Sequence, residues 1–339
     1  GESLPRSYVT GDTTETMVAR IRDHLAPKLF RQTFAPGWET LEHLQALMPN
    51  WTRGDNGETT VVAWNAAFCA VELALLDWSL RVDHCALADL LPPARFEVVY
   101  SGVISADEPK DAAALAKRMA WLGLHQVKVK VGTADDAARL EAVRKAVGDE
   151  VALRADANGA WTAHEAIEQL QRLEQFKLAA IEQPVPAKDL EGMKRVRTES
   201  GIPVMADESL VTLEQARQLI DLGACDYFNI RLSKNGGITG SLAIAKLAHE
   251  AGIKIQVGAQ VGETGILSAA GRTFAAYLPA LEFAEGSFGT WLLAEDLTYE
   301  SVGFGLGGRA PLLKTRGLSV TVREDVLERL ATVKHEVRG

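Results

Sequence analysis

Acidic residues stand at the ends of successive strand-like segments in the middle of this chain. Asp156 closes LRAD, Glu182 closes AAIE and Asp207 closes VMAD, at intervals of 26 and 25 residues. That interval suits one strand plus one crossover helix, so neighbouring parallel strands would carry these carboxylates to the same edge. Converging carboxylates without Cys or His ligands suit Mg²⁺ better than Zn²⁺. We therefore predict a magnesium site.

Strand-like and helix-like segments alternate from about residue 96 to residue 296. Runs such as QVKVKVG and YFNIRLSK have the composition of buried strands, and runs such as DDAARLEAVRKAV and AHEAIEQLQRL have an amphipathic helical pattern. Eight such alternations predict an α/β fold, a parallel (β/α) barrel of the TIM type. In such a barrel the active site lies at the C-terminal ends of the strands.

The two ends of the chain lack this rhythm. Residues 1–95 contain the helical runs TETMVARIRDHLAPKLF and AAFCAVELALLDWSL, whereas residues 297–339 are Gly-rich and then strand-like. We interpret both ends together as a second domain beside the 96–296 barrel. The opening segment, GESLPRSYVTGDT, is predicted to be a turn-rich loop that covers the barrel mouth.

Charge and cysteine content exclude several classes of protein. A net charge of -9 argues against nucleic acid and anionic membranes as general partners. No apolar run has the roughly 18 residues needed to span a membrane, and no signal peptide is visible. Cys69, Cys85 and Cys225 have no CxxC spacing, which favours reduced, buried thiols in a cytoplasmic protein.

Five motifs in order carry a resemblance to a known family. KVK, DAN, IEQP, ADES and IRLSKNGG resemble the enolase superfamily, specifically its muconate lactonising enzyme subgroup, through nearly the whole chain. The resemblance implies a modified (β/α)₇β barrel with an α+β capping domain, a small-molecule carboxylate substrate and a homo-oligomer. It also implies that the family's first strands and a mobile specificity loop are missing from this sequence.

The resemblance further implies chemistry. Bound Mg²⁺, held by Asp156, Glu182 and Asp207, stabilises the enolate formed when a proton α to a carboxylate is removed, and Lys130 is the base. Such a site must concentrate positive charge where the dianion develops. A free lysine titrates near ~10.4, so a second ammonium at Lys128, on the same strand face, would favour the neutral base.

The sixth strand departs from the family pattern. Racemising and epimerising members usually carry a catalytic lysine at the start of I-K-x-x-K-x-G-G, and here that position is Arg231. A guanidinium stays protonated and suits a carboxylate clamp better than a base. Lys234 is a further candidate catalytic residue, although the family pattern already has a lysine there.

We therefore predict a one-base lyase that performs syn dehydration, or a cycloisomerase. Three alternatives remain open. One is a racemase or epimerase of an N-acylamino acid or dipeptide, and another is a non-catalytic enolase-like barrel. The third is a Schiff-base lyase in which Lys128 or Lys130 attacks a carbonyl, although it would not need three metal carboxylates.

Substrate contacts are predicted from position. The candidate residues are Arg6, Tyr8, Asn158, Gln260 and Glu263. Glu208 is expected to orient a neighbouring ligand or form an ion pair.

The opening loop resembles the capping-domain loop of dipeptide epimerases. Those enzymes bind an α-ammonium with a D-x-D motif after strand eight, where this chain reads EGSFGTW. A dipeptide with a free amino terminus is therefore disfavoured, unless Glu282 or Glu285 substitutes.

Overall fold

The structure is a computed structural model that describes residues 1–51 and 64–338. Residues 52–63 of the predicted 1–95 domain lie outside this part of the chain. The strands are β1 Glu97–Val99, β2 Gly102–Ile104, β3 Gln126–Lys130, β4 Ala152–Asp156, β5 Ala180–Glu182, β6 Val204–Ala206, β7 Tyr227–Ile230, β8 Lys254–Val257, β9 Leu281–Ala284 and β10 Arg309–Pro311.

The α-helices divide between the barrel and the two ends of the chain. They are α1 Ser7–Thr10, α2 Thr14–Arg20, α3 Ala26–Leu29, α4 Trp38–Trp51, α5 Asn65–Val82, α6 Leu87–Leu90, α7 Pro109–Trp121, α8 Asp136–Val147, α9 Ala163–Leu173, α10 Leu190–Ser200, α11 Leu213–Leu222, α12 Gly237–Glu250, α13 Gly265–Tyr277, α14 Gly289–Leu292 and α15 Glu324–Leu330. A π-helical turn, Ile21–Leu25, joins α2 to α3.

Strands β2 to β9 form one parallel sheet in chain order, and a helix follows each of β2 to β8. The two edges of the sheet meet and close the barrel. The Ser101 amide, just before β2, donates to the Ala284 carbonyl in β9 at 2.8 Å. The α/β, TIM-like fold predicted from the sequence is confirmed. The carboxyl ends of all eight strands therefore surround one mouth.

Local sequence signals explain where several of these helices begin. Thr162 and Thr212 are N-caps whose hydroxyls accept from the amides of Glu165 and Gln215, whose side chains bond back to the cap amides. These reciprocal capping boxes satisfy amides that would otherwise lack partners. They place α9 and α11 directly after the loops that follow β4 and β6.

The barrel interior has an apolar floor and a polar layer above it. Strands β5, β6, β7 and β9 each contribute one side chain to a separate buried apolar cluster, formed by Ala180, Met205, Tyr227 and Phe283. Side chains two residues further along a strand point to the same interior but lie nearer the mouth. The floor therefore supports the predicted site from below.

One strand-like run divides into two strands in the structure. FEVVYSGV supplies β1, which pairs antiparallel with β10, and β2, which begins the barrel. The tail thus contributes the short strand β10. Pairing with the distant tail, which a local pattern cannot show, separates β1 from the barrel.

Helix α5 is joined to the barrel by buried polar contacts. The Asn65 side chain donates to the carbonyls of Val211, at 3.1 Å, and Lys234, at 2.7 Å. The Glu72 carboxylate, also on α5, accepts from the amides of Ile238 and Thr239 at the start of α12. Burial raises the pKa of Glu72 to about 7. Because α5 shields these first amides of α12 from water, the carboxylate supplies the hydrogen-bond acceptor that water cannot.

Gly237 tests how tightly this contact is packed. Its φ is +80°, and a Cβ atom there would collide with the Glu72 carboxylate. Replacing Gly237 by alanine should lower the free energy of unfolding by about 2–4 kcal/mol, since it adds left-handed strain and displaces a buried cap. Denaturant unfolding measures this. The control is Gly271→Ala inside α13, where nothing lies within 4 Å of the new methyl; an equal loss there would contradict the explanation.

The structure also bears on the predictions for the cysteines and for membrane-spanning helices. Cys69 and Cys225 are buried, while Cys85 is partly exposed, so the expectation of burial is wrong for Cys85; all three thiols are free. In residues 1–51 and 64–338, no helix combines the length and the apolar character that a membrane crossing requires.

Candidate active site

The three predicted metal ligands lie on adjacent strands at the barrel mouth. Asp156 and Glu182 end β4 and β5 and are register partners, and Asp207 directly follows β6. All three side chains are buried. The spacing in the sequence therefore places these carboxylates side by side.

Lys128 binds two of these carboxylates from the neighbouring strand β3. Its Nζ lies 3.2 Å from Asp156 Oδ2, 3.0 Å from Glu182 Oε2 and 2.8 Å from Glu285 Oε2. Burial opposes its charge, but the three carboxylates raise the pKa of Lys128 well above its ordinary value. A protonated, fully enclosed amine is not a nucleophile, so the structure disfavours Lys128 as a Schiff-base lysine.

Arg231 lies on the other side of the same carboxylates, directly after β7. Its Nη2 contacts Asp207 Oδ2 and lies 3.5 Å from Glu182 Oε1. Burial would lower the pKa of Arg231, but Asp207 and Glu182 raise it further above its usual range. Arg231 is therefore a permanent cation, as its residue type predicts.

Lys234 is held away from the barrel mouth. Its Nζ donates to Asp207 Oδ1 at 2.7 Å and to the carbonyls of Asp207 and Asn229 at 2.8 and 2.7 Å, and the residue is buried. All three ammonium hydrogens thus have partners. Burial lowers the pKa of Lys234. This placement favours a role in orienting Asp207 over the predicted catalytic role.

Two amides that orient Glu182 were not anticipated from the sequence. Asn229 Nδ2 donates to Glu182 Oε1 at 2.8 Å, and Gln256 Nε2 donates to Glu182 Oε2 at 3.2 Å. Asn229 lies two residues before Arg231 in YFNIR, so the period-two spacing of polar residues within an otherwise apolar strand was an available signal.

The electrostatic environment differs between the neighbouring carboxylates. Burial would raise the pKa of Glu182, but Lys128, Arg231 and Arg154 outweigh it and lower that pKa to about 2. Burial and the adjacent Glu182 raise the pKa of Asp156 to about 6. Closely packed carboxylates of this kind need added positive charge to be ionised together.

Lys130 stands at the exposed end of β3. Its Nζ donates to Asn158 Oδ1 at 2.9 Å, and Asn158 Nδ2 in turn donates to Glu208 Oε1 at 3.1 Å. The backbone amide of Asn158 also donates to Asp156 Oδ1. Asn158 therefore connects the predicted base to a predicted ligand. The hydrogen bond from Asn158 to Glu208 is compatible with the predicted orienting role of Glu208.

Glu285 forms a second ion-pair group inside the barrel. Its Oε2 binds Lys128, and its Oε1 lies 3.1 Å from Arg154 Nη2. Arg154 also donates to Ser101 and stacks over the Phe283 ring. A buried carboxylate with two cationic partners has little attraction left for a substrate ammonium. Glu282 instead pairs with Lys254.

The remaining predicted substrate contacts surround the loop after β8. Arg231 Nη1 donates to Gln260 Oε1 at 3.4 Å, and the backbone amide of Gln260 donates to Glu263 Oε1 at 2.6 Å. Burial raises the pKa of Glu263 to about 8. Arg6 donates to the Val261 carbonyl, which brings the opening segment to this loop, whereas Tyr8 is 68% exposed.

The donor set fits a magnesium ion in chemistry. Asp156, Glu182 and Asp207 supply only hard carboxylate oxygens, the type that Mg²⁺ prefers. Within residues 1–51 and 64–338, however, no three His, Cys, Asp or Glu side chains stand close enough to form a ready cluster. Lys128 bridges Asp156 and Glu182, and Arg231 bridges Glu182 and Asp207.

A family model described as Enolase C-terminal domain-like matches residues 111–326. The N-succinyl-L-Arg/Lys racemase of Bacillus cereus is 30% identical over 100% of this chain and 88% of the racemase. Its crystal structure has a TM-score of 0.85 with this chain at 29% identity, and covers 98% of this chain and 86% of that one.

Epimerases and cycloisomerases are also similar. The hydrophobic dipeptide epimerase of Enterococcus faecalis is 37% identical over 64% of this chain, and the match spans 61% of that enzyme. A dipeptide epimerase structure from that organism, complexed with Mg and the dipeptide L-Leu-L-Tyr, has a TM-score of 0.79 at 28% identity and covers 94% of this chain and 86% of that one. A chloromuconate cycloisomerase of Cupriavidus necator is 29% identical over 86% of this chain and 76% of its own length.

Proposed function

Because this chain belongs to the mandelate racemase/muconate lactonizing family of the enolase superfamily, whose members use Mg²⁺, we propose that it is a racemase or epimerase of an amino-acid derivative. The observation that carries the proposal is the placement of Lys130 and Arg231. They lie on β3 and after β7, four strands apart in an eight-stranded barrel, with the three carboxylates on the strands between. A substrate held there presents opposite faces to the two residues.

Lys130 removes the α-proton on its own face. Its amine is at the exposed end of the strand, and Asn158 fixes its direction without burying it. A base must reach the substrate with a free lone pair, so an exposed amine held by one acceptor suits this task. Lys128, enclosed by three carboxylates, stabilises their arrangement instead.

Asp156, Glu182 and Asp207 are the residues proposed to hold Mg²⁺. When bound, the ion would stabilise the negative charge that develops on the substrate carboxylate as the α-proton leaves. Arg231 supplies a second fixed cation for the same carboxylate, and its planar donors match two oxygens at once. Asn229 and Gln256 keep Glu182 in place.

Racemisation requires a proton donor on the Arg231 face. The guanidinium is a very weak acid, so a second group must supply the proton. Glu263 meets this requirement, because burial raises its pKa to about 8 and it is linked to Arg231 through Gln260. We assign Glu263 as the acid that delivers its own proton to the opposite face with inversion, while the proton removed remains on Lys130.

An N-acylamino acid suits this site better than a dipeptide with a free amino terminus. Of the two candidate carboxylates for that role, Glu285 is already paired with Lys128 and Arg154, and Glu282 is paired with Lys254. Neither is available to bind an α-ammonium. The racemase that is similar over the whole chain acts, by its name, on N-succinylated amino acids.

A second candidate is a one-base lyase or cycloisomerase. The observation that favours it is Arg231 itself, because a reaction on one face needs Lys130 and a fixed cation but no second base. The similarity to a chloromuconate cycloisomerase is compatible with this chemistry. The two candidates differ in what happens on the face opposite Lys130.

Proton NMR in D₂O distinguishes them. N-succinyl- and N-acetylamino acids, dipeptides and hydroxy acids are incubated with the protein and Mg²⁺, and α-deuterium incorporation and configuration are followed together. Deuterium incorporation with inversion supports the racemase. Incorporation with retention, loss of water or ring closure supports the one-base candidate, and no exchange with any carboxylate contradicts both.

Glu263→Gln tests the proton donor separately. We expect inversion to slow by about 10²-fold or more while exchange with retention continues, since Lys130 still acts on its own face. Chiral chromatography combined with NMR measures the two rates. The matched control is Glu282→Gln, outside the barrel mouth. If Glu263→Gln slowed exchange and inversion equally, its assignment to one face would be wrong.

A further inference from the structure

The guanidinium of Arg231 lies between two of the proposed metal ligands. Its Nη2 contacts Asp207 Oδ2 and lies 3.5 Å from Glu182 Oε1. A cation held by oxygens of both carboxylates occupies the position from which an ion would bind them. Arg231 and a divalent ion are therefore rivals for the same oxygens.

The other oxygens of the ligands are held by groups with little freedom to move. Lys128 is anchored by three carboxylates, and Lys234 is anchored by Asp207 and two carbonyls. Both side chains are buried. Neither can leave its carboxylates without losing several buried partners at once.

Arg231 contacts the ligands through one nitrogen of its guanidinium, Nη2. The structure gives its buried Nε no hydrogen-bond partner, and its Nη1 makes one long contact of 3.4 Å with Gln260. Gln260 belongs to the loop after β8, toward which the guanidinium can turn. A turn toward Gln260 breaks two contacts of Arg231, with Asp207 and Glu182, whereas the departure of Lys128 or Lys234 breaks three.

We propose that Arg231 and Mg²⁺ compete for Glu182 and Asp207, so that metal binding releases the guanidinium toward the barrel mouth. The inference rests on the proposed function, because it takes the three carboxylates as the metal site. Breaking a buried ion pair opposes metal binding, and linkage requires that the metal weaken the Arg231 contact by the same factor. The freed guanidinium then binds the substrate carboxylate.

Titration calorimetry with Mg²⁺ alone tests the competition. Arg231→Gln should bind Mg²⁺ at least about tenfold more tightly than the unaltered protein, because the ion no longer displaces a guanidinium. Thermal unfolding provides a readout independent of activity. Arg231→Gln should melt at a lower temperature without Mg²⁺, and saturating Mg²⁺ should reduce or reverse the difference.

Lys130→Gln is the matched control for charge. It removes one positive charge from the barrel mouth, but its amine bonds to Asn158 rather than to a ligand. We expect its effect on Mg²⁺ affinity to stay within about threefold, as for an exposed charge without direct contact. If Arg231→Gln tightened Mg²⁺ binding no more than Lys130→Gln does, the competition would be disproved while the proposed function stood.

Asp156→Asn shows whether the ion binds at this site at all. It removes a proposed ligand that Arg231 does not contact, and it should weaken Mg²⁺ binding at least about 100-fold. Undetectable Mg²⁺ binding in the unaltered protein, or unchanged binding in Asp156→Asn, would overturn both the proposed metal site and the competition. Loss of binding in Asp156→Asn together with the tightening in Arg231→Gln supports both.

Discussion

Replacing Lys130 by alanine should slow α-proton exchange by about 10³-fold while Mg²⁺ affinity changes by less than about threefold. The two effects separate because Lys130 contacts Asn158 and none of the three proposed ligands. Exchange is measured by NMR in D₂O with the substrate found in the carboxylate panel, and Mg²⁺ affinity by calorimetry.

Lys117→Ala is the control for loss of a lysine. Lys117 is an exposed residue of helix α7, on the outside of the barrel, and its removal should leave exchange unchanged. Exchange at the normal rate in Lys130→Ala would show that another group removes the proton. A joint loss of exchange and Mg²⁺ binding would show that Lys130 supports the site rather than acting as its base.

Asp207→Asn should weaken Mg²⁺ binding by more than about 100-fold and also lower the free energy of unfolding by about 3–5 kcal/mol without metal. The second effect arises because Asp207 is the shared partner of Arg231 and Lys234, both buried. The amide removes the carboxylate that pairs with buried Lys234 and leaves Arg231 with the longer contact to Glu182. Calorimetry and denaturant unfolding measure the two effects.

The neighbouring Glu208→Gln provides the control for Asp207→Asn. Glu208 accepts one hydrogen bond from Asn158, which glutamine can preserve, and burial already raises the pKa of Glu208 to about 7. Neutralising it should therefore cost less than about 1 kcal/mol. Equal destabilisation by the two variants would mean that the Arg231 and Lys234 ion pairs do not account for the cost.

These predictions separate the proposed tasks of two residues at the barrel mouth. Lys130 is the proposed base and contacts none of the proposed ligands, whereas Asp207 is a proposed ligand that also binds Arg231 and Lys234. The family relationship supports enolate chemistry with Mg²⁺. The more similar relatives are epimerases and a racemase, so the preference for a one-base reaction drawn from Arg231 becomes the second candidate.

The sequence by itself determined the barrel and the position of its proposed chemistry. The 26- and 25-residue intervals placed Asp156, Glu182 and Asp207 on neighbouring strands because one strand and one helix occupy that length. The KVK motif likewise placed Lys130 at a strand end. These inferences succeed because period and connection length are local properties of a parallel fold.

Only the tertiary structure decided which cation meets which carboxylate. Lys128 and Glu285 are far apart in sequence but meet across the closed sheet, and Lys234 bonds inward rather than toward the mouth. Likewise, β1 leaves the barrel run to pair with β10, and Glu72 caps a helix of the barrel. Each depends on side chains or strands brought together by closure of the sheet and packing of α5 and the tail against it. Local sequence patterns cannot predict such contacts, because the contacts form, and contribute energy, only when segments distant in sequence are buried together.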